Sequence, residues 1–103
     1  MDNIVRCEFD AEAGVLTCFF RGRLDAPASE AAAAAVAARI EALASPARVV
    51  FDLGEVVYIA SAFLRFCLLT GSSAAAGFAI VNTSPFTKKV FTVAGFDRVL
   101  DIS

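Results

Sequence analysis

Residues 48–66, RVVFDLGEVVYIASAFLRF, decide how this chain is read: an apolar run passes through a short polar break into a second apolar run that opens on Ala60, Ser61 and Ala62. The first run, Ala47 to Leu53, has Asp52 as its one polar interruption, the pattern of a strand buried on both faces of a parallel sheet. Gly54 to Tyr58 reads as a loop and Ser61 to about Thr70 as a helix. Ligands and partners of open α/β sheets gather beyond the carboxyl ends of the strands. That rule places Asp52, the loop Gly54 to Tyr58 and residues Ala60, Ser61 and Ala62 at the candidate site. A helix start there offers unpaired N–H groups and a partial positive charge, suited to an anion.

The helix carries more apolar surface than one face can hide. Leu64, Cys67 and Leu68 form one stripe, while Phe63, Phe66 and Leu69 lie off it with Arg65 as the only charge. A helix apolar nearly all round is either enclosed or part of an interface. The expectation is the interface, with Phe63, Phe66 and Leu69 left uncovered for a second polypeptide.

Working outward, residues 3–9 and 15–21 alternate and flank the turn DAEAG, which makes an antiparallel hairpin. Val5, Cys7 and Phe9 share a face with Leu16, Cys18 and Phe20 if Cys7 lies opposite Cys18, but a shift of two residues preserves the faces as well. Asp25 and Pro27 then open an alanine-rich helix reaching about Ala44, with Val36, Ile40 and Leu43 as its apolar stripe. Downstream, Phe78 to Val81 reads as a short buried strand. Asn82, Thr83, Ser84 and Pro85 begin a third helix that stops at Gly95, and FDRVLDIS closes the chain as a short strand or extended edge. Residues 1–103 are one α/β domain: a mixed β-sheet opened by the hairpin, with helices packed against it.

Composition narrows the chemistry. No histidine is present, which removes the usual general base and the commonest metal ligand. There is also no P-loop, no G-x-G-x-x-G and no nucleophile elbow, so no enzyme and no cofactor is expected. Nine basic residues against eleven acidic ones offer no electrostatic footprint for nucleic acid. The longest charge-free run, Phe66 to Thr87, is broken by glycine, serine, asparagine and proline, and the amino end lacks the pattern of a signal peptide; no direct membrane insertion and a cytoplasmic address follow. Cys7, Cys18 and Cys67 lack ligand spacing and read as small buried hydrophobes in a reducing compartment. The hydrophobic surplus also fits self-association.

Three segments resemble the STAS domain, the family of sulfate transporter and anti-sigma factor antagonist domains. RGRLDAP is similar to the family's G-x-L-D segment, VVFDLGEVVYIASAFLRF to its strand, loop and helix with an aspartate–serine–serine–glycine–leucine or serine–serine–alanine–glycine–leucine core, and IVNTSPFTKKVFTVAGFDRVLDIS to its closing strand, helix and glycine-ended stop. The resemblance implies a non-enzymatic regulatory domain that docks on an anti-sigma factor, itself a serine kinase, and is switched off when that partner phosphorylates it. On this sequence the phosphorylated serine falls on Ala62. Ala60 stands where many members carry aspartate or serine, and Phe63 where they carry glycine. Ser61 survives as the first serine, either a helix cap or a weak phosphoacceptor candidate. Asp25 and Asp52 also match family positions, although each has a plain structural role open to it. The implied partner surface comprises Asp25, Tyr58, Ala60, Ser61, Ala62, Phe63, Arg65, Phe66 and Leu69. STAS domains also serve as accessory subunits of membrane transport complexes beside ABC ATPases, and a small-ligand or nucleotide-sensing module is the remaining alternative.

Overall fold

A computed structural model describes residues 4–103. Its elements are β1 (Val5–Asp10), β2 (Val15–Leu24), α1 (Ala26–Glu41), β3 (Arg48–Ile59), α2 (Ser61–Ser73), β4 (Phe78–Val81), α3 (Pro85–Val93), a 3₁₀ turn (Phe96–Arg98) and β5 (Asp101–Ile102). The strands form one sheet in the order β1-β2-β3-β4-β5, antiparallel between β1 and β2 and parallel elsewhere. The expected mixed sheet opened by a hairpin is the one found. Residue 3, where the first strand was expected to begin, lies outside the described residues.

Cys7 faces Cys18, which resolves the register left open by the alternation. The turn is closed by the Gly14 amide on the Asp10 carbonyl, while the Asp10 carboxylate takes the amides of Glu12 and Ala13 at 3.0 and 3.1 Å.

All three helices contribute to a single core. Ala32 and Val36 of α1, Phe63 and Cys67 of α2 and Phe91 of α3 meet Leu16, Cys18, Phe20, Val49, Phe51, Leu53 and Ile80, alternate residues that share one face of the sheet. The molecule is correspondingly thin, 35 × 35 × 19 Å, about the depth of one sheet and one helix layer. Val50 and Asp52, on the opposite face of β3, are only half-buried, so burial on both faces does not hold for this strand. Its continuous apolar run belongs to a sheet covered from one side.

Two helices bury different residues from those expected. In α1 the inward positions are Ser29, Ala32 and Val36, and Ile40 is exposed. Small alanine side chains let α1 lie close on β2 without the larger Ile40 taking part, and the helix ends at Glu41 rather than Ala44. In α2 the buried residues are Phe63, Cys67 and Thr70, while Leu68 is exposed. Thr70 satisfies its hydroxyl on the Phe66 carbonyl at 2.8 Å. The helix also runs past Thr70 through Gly71 to Ser73. A Cβ on Gly71 would stand 2.6 Å from Leu100 Cδ2 and 3.2 Å from Phe78 Cδ2, so the glycine lets the carboxyl-terminal segment close over this end of α2.

The largest difference lies in β3. Gly54 to Tyr58 is strand and not loop, because β2 also continues through Leu24 and pairs with it. Phe19 and Arg21 pair with Asp52 and Glu55, and Gly22 and Arg23 with Val56 and Tyr58, so β3 carries an extra residue in each interval. These are two β-bulges. They shift the phase of alternation, which buries Leu53, Val56 and Ile59 at every third position and turns Val57 outward. Gly22, with φ +82°, supplies the left-handed backbone on the partner strand beside them.

Candidate functional site

The extended β2–β3 pair gathers most of the candidate residues at its end. Leu24 and Ile59 are paired at its end, and the Ala60 amide donates to the Leu24 carbonyl at 2.9 Å, which joins the entry of α2 to the entry of α1. Asp25, Tyr58, Ala60, Ser61 and Ala62 are thereby drawn to one end of the sheet. Arg23, paired with Tyr58, lays its guanidinium over that ring at 4.5 Å from the centroid. Arg23 was not singled out in the sequence, although it stands inside RGRLDAP; an arginine before a strand end gives no signal until its cross-strand aromatic partner is known.

Asp25 is the cap of α1: its carboxylate takes the Ala28 amide at 3.0 Å and its carbonyl takes the Ser29 amide at 2.8 Å. The α2 entry is built differently. Its N-cap is Ala60, in extended backbone (φ −95°, ψ 169°), and no side chain caps the helix. Ser61 is the first helical residue, not the cap, and its side chain makes no hydrogen bond among the described residues. The hydroxyl is therefore exposed beside an uncapped helix start. Ala62 is half-buried and Arg65 exposed.

Phe63 is not at the surface. It is 0% exposed and its ring meets Phe20 edge-on at 5.1 Å, with Phe66 at 6.0 Å and Phe51 at 6.3 Å. Its assignment as an uncovered partner residue is overturned: the strands supply an aromatic pocket, Phe20 and Phe51 at 4.7 Å, that fits an inward ring at this position. Phe66 is half-buried at the edge of the same cluster, 5.1 Å from Phe51. Leu69 alone of the three is open, 57% exposed. It lines a groove of about 380 Å³ between α1 and α2 with Val36, Ile40 and Phe66. Leu69 lies eight residues beyond Ser61, about 12 Å along the helix, so the strand-end cluster and the groove are neighbouring parts of one side of α2.

A second apolar groove, about 360 Å³, lies between α2 and α3 and is lined by Leu64, Phe86, Lys89, Val90, Val93 and Ala94. Phe86 and Val93 are 61% and 78% exposed. Neither was picked out in the sequence, yet α3 signals them: Phe91 and Thr87 fill its inward face, which leaves Phe86 and Val93 without room there.

Asp52 sits lower on β3, where β4 departs. Its carboxylate accepts the Gly54 amide at 2.9 Å and the Asn82 side-chain amide at 2.8 Å, replacing ladder partners that β4 no longer provides. Asp52 thus closes the sheet at this point. Among the described residues no three metal-ligating side chains converge. No helix of the described chain is long and apolar enough to cross a membrane.

By sequence, no family model and no curated protein matches the chain. Solved structures do resemble it closely. An anti-sigma factor antagonist (STAS) domain protein from Planctomyces limnophilus superimposes with a TM-score of 0.81 at 24% identity, covering 96% of this chain and 87% of that one. An anti-sigma factor antagonist from Mycobacterium paratuberculosis gives 0.72 at 26% identity over 95% and 84% of the two chains. The Bacillus cell-fate determinant SpoIIAA in its phosphorylated form gives 0.69 at 19% identity over 96% and 90%. With its hairpin-led sheet and one-sided helices, this chain has the fold of the STAS-domain anti-sigma factor antagonists.

Proposed function

We propose that the protein is a regulatory docking domain that binds an anti-sigma factor of the serine-kinase type through α2 and the strand end beside it. The observation that carries this reading is the concentration of uncovered features along one side of α2: the uncapped entry with Ser61, the exposed Arg65 and the open Leu69. Tyr58, Ala60 and Ala62 border them, and Asp25 stands at the neighbouring α1 entry. Phe63 supports this surface from beneath and does not touch the partner. SpoIIAA exists in a phosphorylated form; by the family resemblance the phosphorylated position falls here on Ala62, which has no hydroxyl, so on this reading the partner's kinase activity does not release this domain by modification at that position.

The test is a binding titration between the full chain and the serine-kinase anti-sigma factor of its source cell, with and without ATP. Binding should survive ATP. Leu69→Asp should weaken it at least tenfold while changing folding stability by less than about 0.5 kcal/mol, as befits an exposed position. Stoichiometric phosphate on any residue other than Ser61, or undiminished binding by the Leu69→Asp variant, would overturn the assignment.

A further inference from the structure

Cys7 and Cys18 occupy directly opposed positions on β1 and β2, and their sulfurs are 3.7 Å apart. The Arg21 amide donates to the Ile4 carbonyl, which makes that couple a hydrogen-bonded one. Three steps further along the ladder, Cys7 and Cys18 therefore form a non-hydrogen-bonded couple, whose Cα atoms in an antiparallel ladder lie about 4.5 Å apart. That spacing falls inside the range a disulfide spans, at its short end. The two thiols need only side-chain rotation to join.

We propose that Cys7 and Cys18 form a reversible redox couple in which peroxide converts the facing thiols to a cross-strand disulfide. Their environments differ in the way such a couple requires. Cys7 lies on the edge strand and is half-buried, while Cys18 is enclosed beneath it. The guanidinium of Arg39, held by its hydrogen bond to the Cys7 carbonyl at 3.0 Å, places a positive charge beside the outer sulfur. Cys7 is pushed down to about 7, chiefly by the hydrogen bond it shares with Cys18 and further by Arg39, against the opposing effect of partial burial. An accessible thiolate with a second thiol in contact is the arrangement of a redox-responsive cysteine with its resolving partner.

The steps balance as follows. The Cys7 thiolate attacks one oxygen of hydrogen peroxide, breaking the O–O bond; the departing hydroxide takes a proton and leaves as water, and Cys7 becomes a sulfenic acid. The Cys18 sulfur then attacks the Cys7 sulfur, its proton leaving with the displaced hydroxide as a second water. Two thiols lose two electrons in total and one peroxide is reduced. A thiol reductant opens the cross-strand bond again by thiol–disulfide exchange, which makes the change reversible. Cys67, sealed in the core on α2, takes no part.

The experiment exposes the reduced full chain to hydrogen peroxide, counts free thiols and maps unreduced peptides by mass spectrometry. The count should fall from three to one, with Cys7 linked to Cys18 in a monomer lighter by two hydrogens. The melting temperature should rise by about 5 °C or more and return on reduction. Cys7→Ser should keep both remaining thiols under the same exposure, and Cys18→Ala should leave a trappable sulfenic acid on Cys7. Linkage through Cys67, an intermolecular product, oxidation of Cys7 in the native chain without bridging, or a bridged form that melts no higher would each overturn the proposal.

Discussion

Phe63 shows how a residue can be placed on the wrong side of a helix. Six of the seven residues from Phe63 to Leu69 are apolar, so the period of the sequence does not select an inward face. The selection comes from Phe20 and Phe51, brought together by strand pairing, and from Phe66 beside them. Their identities were legible, but their convergence was not, because it arises between segments remote in the chain. Leu69, by contrast, is open as expected, since no strand residue reaches that side of α2. Phe63→Ala should accordingly lower the unfolding free energy by about 3–5 kcal/mol, measured by urea denaturation, because it empties an enclosed aromatic site. A loss below about 1 kcal/mol would contradict the burial described for this ring.

At the level of elements, the β2–β3 pair and the start of α2 bring the candidate residues together. Gly54 and Glu55 look like loop residues, and the two bulges break the alternation that would otherwise extend the strand to Ile59. A strand held by its neighbour despite its own pattern cannot be found from periodicity. The hairpin, the Asp25 cap and the short β4 were legible because each rests on local rules of alternation, capping or apolar run length. Ala60 occupies the N-cap of α2 in the backbone conformation that a capping serine adopts, yet lacks the oxygen to take an orphan amide. Ala60→Ser should therefore stabilise the domain by about 1 kcal/mol, read as a higher urea midpoint with unchanged slope. A neutral or destabilising result would show that those amides are already satisfied.

For the molecule as a whole, the three thiols set a pH dependence that composition alone does not reveal. Cys7 holds its proton less tightly folded than unfolded, so its contribution to stability is absent below about pH 7 and grows as pH rises toward the ordinary thiol value. Cys18, through its hydrogen bond to Cys7 and its burial, and Cys67, through burial, are held above that value. Their contribution is full below an unfolded thiol pKa of about 8.5 and is lost as pH rises further. Under reducing conditions, the urea midpoint should rise slightly from pH 7 to about 8.5 and fall beyond it; Cys7→Ser should abolish the rise and keep the fall. A midpoint that declines throughout that interval in the native chain would contradict the depressed Cys7.

From Glu55 to Ile59, β3 pairs with β2 alone, since its pairing with β4 ends at Asp52. The two strands run on past β4 as a pair, with Leu24, Val56 and Ile59 buried in the core and the α2 entry mounted at their end. A load applied there, on Ser61 or Arg65, divides between the β2–β3 ladder, which hands it to α1 through the Leu24 carbonyl, and the core, which takes it through Phe63.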